Sequence, residues 1–64
     1  MDFKRAISFA KGGFSVRRKV MDLYWRSMEI ENDTDAIWIQ EGNVGRLPVT
    51  VADVKSTFWE VGSE

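Results

Sequence analysis

The sequence contains no cysteine and no histidine, and these two absences remove most of the chemistry available to a small protein. Without thiols there is no disulfide to staple the fold and no thiolate metal site. Zinc would have to be held by carboxylates alone, and neither a Ser-His nor a Cys-His nucleophile pair can be assembled. Proline occurs once, at Pro48. Long apolar runs are missing too, so no stretch reads as a signal peptide or a membrane span. Charge of one sign is also lacking. Ten acidic against nine basic side chains leave a net charge of -1, which gives no general pull toward polymeric nucleic acid or an anionic membrane. A local basic cluster can still hold a phosphate.

Apolar bulk is what the chain does have. Hydrophobic residues make up 44% of the sequence, with three tryptophans, four phenylalanines and one tyrosine, too many for a disordered tail. Residues 1–64 make one small domain. A core of this size contributes only about 3–5 kcal/mol, so pairing of subunits through exposed aromatics, a homo-oligomer, is the expected remedy.

Phe3, Ala6, Ile7 and Ala10 recur at helical spacing, with Lys4, Arg5, Ser8 and Lys11 on other faces, which predicts a helix over residues 2–11. Phe9 falls off that stripe and marks either a wider buried face or a subunit contact. Gly12-Gly13 supplies the freedom for a left-handed stop. Alternation then predicts strands over 14–19, 22–30, 36–40 and 46–49. Turns rich in Asn, Asp and Gly fall at 31–35 and 41–45. Thr50 followed three residues later by Asp53 reads as a capping-box start to a short helix over 51–56. Thr57–Val61 returns to strand character. The architecture expected is α+β: an N-terminal helix, an antiparallel meander, a short helical turn and a closing strand, with the helices on one face of the sheet.

Several side chains are candidates for ligand contact. Arg17, Arg18 and Lys19 could hold phosphate oxygens, since arginine offers a planar fork for bidentate contact. The competing reading makes Arg18, on the same strand face as Val16, an ion-pair partner of Asp53 or Glu60, with Arg17 and Lys19 solvated. Tyr24 and Trp25 point to opposite faces of their strand; one belongs to the core and the other is a base-stacking platform or an interface aromatic. Trp38 points away from Ile37 and Ile39, toward another layer or a partner. Trp59 reads as core. Asn43 and Arg46, with the Gly42 and Gly45 amides, could hold an anion and a base edge, or could simply form a hairpin turn. Glu29, Glu31, Asp33 and Asp35 lack the spacing of a calcium loop and read as a solvated tip. No cofactor or metal site is implied.

The order Phe3, Ala6-Ile7, Ala10-Lys11, Gly13, Val16-Arg17-Arg18-Lys19, then Asp53 and Trp59-Glu60-Val61 resembles the short phage proteins of the Thoeris anti-defence 2-like family, one branch of which is similar to an anti-CRISPR inhibitor. The resemblance runs almost end to end, with its anchors at the two ends. It implies a phage protein acting in the host cytoplasm: an oligomeric sponge that binds a cyclic nucleotide or ADP-ribose-derived messenger without cleaving it. Arg17, Arg18, Tyr24, Trp25, Asn43 and Arg46 are the expected contacts. The alternative is an inhibitor that docks on a host effector protein. Longer family members carry a Trp-Asn-Gly turn where this chain has Val20-Met21-Asp22.

Overall fold

The computed structural model describes residues 1–62. Its first element, α1 (Phe3–Lys11), begins where Asp2 accepts a hydrogen bond from the Arg5 amide at 2.8 Å, which satisfies one of the unpaired donors of a helix start. It ends in two backbone bonds, Gly13 N–H to the Ala10 carbonyl and Phe14 N–H to the Phe9 carbonyl, each 3.1 Å. Gly13 occupies the left-handed region at φ 94. This is a Schellman closure, and its usual hydrophobic contact is supplied by Phe9 against Phe14, edge to face at 5.6 Å. The off-stripe position of Phe9 is thereby explained. Phe14 finishes the helix and does not start the strand.

Five strands follow, all antiparallel: β1 (Val16–Val20), β2 (Tyr24–Ile30), β3 (Ile37–Glu41), β4 (Arg46–Pro48) and, after α2 (Val51–Lys55), β5 (Glu60–Val61). They lie in the order β4-β3-β2-β1-β5, so the chain runs a meander outward from β1 and returns over the helices to pair β5 with the free side of β1. The fold is the expected α+β meander. The closing strand is shorter than the 57–61 expected, because Trp59 leaves the ladder. Its indole is buried and donates to the Asp53 carbonyl at 2.9 Å.

Alternation divides the sheet into two unlike faces. Val16, Met28 and Ile39 point inward and meet Ala6 of α1 and Trp59, with Phe3, Ile7, Ile30, Ile37 and Leu47 packed around them. Phe3 and Trp59 stack at 5.8 Å. The face turned away from α1 carries Arg17, Lys19, Trp25, Ser27, Glu29, Trp38, Gln40 and Arg46, as the register of the five strands requires.

The expected start of the second strand at Asp22 moves to Tyr24, since Met21–Leu23 form the β1–β2 turn, closed by Leu23 N–H to the Val20 carbonyl at 2.9 Å. Met21 (φ 48) and Asp22 (φ 59) are both left-handed, at about 1–2 kcal/mol each for a residue with a Cβ. Met21 and Leu23 are 85% and 75% exposed, so no burial offsets that strain. Replacing Met21-Asp22 with Asn-Gly, the pair suited to such a turn, is expected to stabilise the domain by about 0.5–2 kcal/mol. The urea midpoint should rise at unchanged slope; an unmoved midpoint would mean the turn is not strained.

Candidate functional site

On the inner face, Arg18, Arg26 and Glu41 sit side by side across β1, β2 and β3. Two arginines directly opposite each other repel. Asp53 of α2, fully buried, resolves the conflict. Its Oδ1 accepts from Arg18 Nη2 at 2.7 Å and from Arg26 Nε at 2.9 Å, and its Oδ2 accepts from Arg26 Nη2 at 2.8 Å. The Thr50 amide and hydroxyl also donate to Oδ2, both at 2.9 Å, while the Asp53 amide returns a bond to the Thr50 hydroxyl. Arg26 Nη1 pairs with Glu41. The capping box expected from Thr50 and Asp53 is therefore present, and it anchors α2 to the sheet.

Burial works to raise the Asp53 pKa, but the hydrogen bonds from Arg26, Thr50 and Arg18 outweigh it and hold the carboxyl well below the usual range. The Arg26 pKa is raised, chiefly by its hydrogen bond to Asp53 and against the effect of burial. Every acceptor position of Asp53 is taken, so the cluster frames the fold and offers nothing to a ligand. Arg18, one of the expected contacts, belongs to this frame, with its guanidinium also 5.9 Å from the Trp59 ring centre. Tyr24 shares the inner side with Arg18, at the turn end of β2. Neither joins Arg17 and Trp25.

The outer face assembles differently. Glu60, Arg17, Ser27, Gln40 and Arg46 are successive register partners across β5, β1, β2, β3 and β4, one polar row spanning the whole sheet. On one side of the row lies Lys19 paired with Trp25; on the other lies Trp38 between Glu29 and Pro48. Strand spacing and rise put the Arg17 and Arg46 backbones about 14 Å apart, and the two tryptophans about 14 Å apart on the diagonal. Ser27 and Gln40 thus lie between two indoles and two arginines.

Each indole is met by an arginine. The Arg17 guanidinium lies 4.0 Å from the Trp25 ring centre and that of Arg46 lies 5.5 Å from Trp38, with Lys19 Nζ 5.5 Å from Trp25. Contacts of this kind contribute about 0.5–1 kcal/mol when exposed. The ion pairs made by the same arginines are loose: Arg17 Nε to Glu60 and Arg46 Nε to Glu29 are both 3.8 Å. Arg17 Nε is buried, hemmed in where a Cβ on Gly62 would come within 3.3 Å, and has no hydrogen-bond partner among the described residues. Both guanidinium groups on this face are thus held by a ring face and a distant carboxylate.

Of the expected contacts, Arg17, Trp25 and Arg46 come together on this face. Asn43 sits exposed in the β3–β4 turn beyond the row, next to Gly42, whose carbonyl accepts from Gln40. Lys19, a candidate phosphate contact, lies on this face as well; Ser27, Trp38 and Gln40 were not among the expected contacts. Trp38 was legible as an outward indole, but its place beside the polar row depends on the β3–β4 register. Among the described residues, no group of acidic side chains converges as a metal site and no enclosed cavity is present. No helix is long and apolar enough to cross a membrane. Comparison with protein-family models, curated proteins and solved structures finds no match to this chain.

Asp53→Asn should cost about 3–5 kcal/mol, because it leaves Arg18 without a carboxylate partner and the buried Arg26 with Glu41 alone; urea unfolding followed by circular dichroism measures it. In the parent protein a depressed carboxyl pKa contributes stability that is complete above the unfolded value, near 4, and is lost as pH falls through the folded value. Stability should thus be level from pH 5 to 8 in this respect and fall below about pH 4. An acid profile unchanged by removal of Asp53 would show that the loss arises elsewhere.

Proposed function

We propose that this chain binds and sequesters a cyclic nucleotide or ADP-ribose-derived messenger, without cleaving it, on the outer face of its sheet. The observation that carries this reading is the row Arg17–Ser27–Gln40–Arg46 with Trp25 and Trp38 on either side. Flat indoles stack on nucleobases, at about 1–3 kcal/mol per base, and guanidinium forks suit phosphate oxygens. Ser27 and Gln40 offer donors and acceptors between them.

Capture without turnover agrees with the side chains at hand. The chain has no histidine or cysteine, and its most buried carboxylate, Asp53, is saturated by structural bonds. Sequestration then works by mass action: bound messenger is withheld from its effector in proportion to protein concentration and affinity. The order of the end motifs supports a phage anti-defence role in the host cytoplasm. A second reading, an inhibitor that docks directly on a host effector, is favoured by one observation, the exposed Met21 and Leu23 at a turn held in left-handed geometry.

The test is native mass spectrometry with a panel of cyclic di- and trinucleotides and cyclic ADP-ribose isomers, followed by heat release and chromatography. Recovery of intact ligand is the expected result; recovered product would mean catalysis, and no uptake would favour the protein-docking inhibitor. Arg17→Ala should reduce uptake at least tenfold and change stability by no more than about 1 kcal/mol. Undiminished uptake by a folded Arg17→Ala protein would remove this face from the site.

A further inference from the structure

The cations of this protein differ by layer. All five on the strands, Arg17, Arg18, Lys19, Arg26 and Arg46, have a carboxylate oxygen within 3.8 Å. The four on the helices, Lys4, Arg5, Lys11 and Lys55, pair with no carboxylate among the described residues. Acids in the helical layer are Asp2, which caps α1, and Asp53, which is buried. A solvated helix ordinarily mixes signs, with glutamate four residues before lysine, whereas the nine residues of α1 hold three cations and no acid. Two of these, Lys4 and Arg5, stand in its first turn, where the helix dipole disfavours positive charge. Fold stability does not account for them.

Apolar groups stand among these cations. Ala6 of α1 and Asp53 of α2 are buried toward the sheet, so Lys4, Ser8 and Lys11 on one helix and Val51 and Lys55 on the other look away from it. Val54 is also exposed, and Phe58 is 79% exposed. The Met1 nitrogen donates to the Thr57 and Trp59 carbonyls at 3.1 and 2.7 Å, which fastens the segment carrying Phe58 to the start of α1. We infer that this helical surface, on the side opposite Arg17 and Trp25, docks an acidic protein: an amphipathic segment whose apolar side covers Val51, Val54 and Phe58 and whose carboxylates meet the four helix cations. An apolar centre within a charged rim is the anatomy of such an interface, and opposite charge selects and speeds the encounter. A nucleic acid would meet the cations but gain nothing from two valines, which cannot stack on bases. A second copy fits poorly. Its acids at Glu31, Asp33 and Asp35 stand on a turn with no exposed large apolar residue, and its exposed Met21 and Leu23 flank an Asp22 already paired with Lys19. Messenger capture uses the other face, and the two readings stand or fall separately.

Titration of the isotope-labelled whole chain, followed by amide chemical shifts, decides this. The probe is a synthetic acidic helix, rich in glutamate with leucine at i, i+3, i+4 and i+7, set against a scrambled isomer of equal composition, oligodeoxythymidylate, and vesicles of phosphatidylcholine with phosphatidylglycerol. The amides of α1, α2 and Phe58 should move, the patterned peptide should bind at least tenfold more tightly than its isomer, and salt should weaken it. Failure of the patterned peptide to bind, equal binding of the isomer, shifts confined to the outer sheet face, or tighter binding of the oligonucleotide or the vesicles would each overturn the inference.

Two variants separate docking from folding. Lys4→Glu with Arg5→Glu places acids in the first turn of α1, which should raise the urea midpoint while peptide affinity falls at least tenfold. Phe58→Ser, at an exposed position, should keep the parent circular dichroism and also lose at least tenfold in affinity. Parental affinity in either folded variant would overturn the inference.

Discussion

Asp53 is the residue on which the rest of the fold depends. Arg18 and Arg26 are neighbours across two strands on a face that must be covered, and nothing apolar could cover two guanidinium groups. The carboxylate arrives from α2, a helix of only five residues, too short to be stable on its own. It is held in place by the charge it neutralises. The same residue presents its backbone carbonyl to the Trp59 indole, so the ion cluster also fixes the largest side chain of the core. In exchange for the desolvation of three charged groups, a small apolar core gains a rigid end wall and a defined path for the return to β5.

This arrangement decides which arginines are free. Adjacent residues in a strand point to opposite faces, so Arg17 and Arg18 have opposite roles by parity alone. Arg18 turns toward Asp53 and is consumed by the fold, while Arg17 turns outward over Trp25. Arg26 and Arg46 divide in the same way, one saturated in the core and the other loosely paired on the surface. Five strands thus separate a structural cationic cluster from an available one, each in a single sheet one side chain thick. A count of basic residues could not distinguish them, since the net charge of -1 averages both populations with the acidic turns.

Much of the architecture is legible in the chain because its signals are local. The helix stripe through Phe3, Ala6, Ile7 and Ala10, the glycine stop, the Thr50–Asp53 box and the alternation of Ile37, Trp38 and Ile39 each act within a few residues, and the fold honours them. Where the reading fails, the deciding contact is distant or tertiary. Phe14 has strand character but completes the Schellman closure with Phe9. Trp59 has strand character but is drawn out of the ladder by the core and by the Asp53 carbonyl. The candidate site was only half legible for the same reason. Arg17, Trp25 and Arg46 could be named singly, but the row that unites them through Ser27 and Gln40 is a property of register, which no short stretch of sequence encodes.

The composition of the outer face bears on whether it is merely solvated. A solvated face of an antiparallel sheet is well served by threonine, lysine and glutamate, and here two tryptophans stand paired with Lys19 and Glu29 beside the polar row. The mundane account is that the arginines lie over the indoles to cover apolar surface with their aliphatic stems. That account explains the stacking distances, but it does not explain Arg17 Nε, buried beside Glu60 without a hydrogen-bond partner among the described residues. A guanidinium serving only as a lid would turn its donors to water or close the gap to the carboxylate. One donor instead stays unsatisfied, at a cost of about 1–3 kcal/mol. Two half-buried indoles, each under a guanidinium whose nearest carboxylate lies 3.8 Å away, set this face apart from an ordinary solvated one.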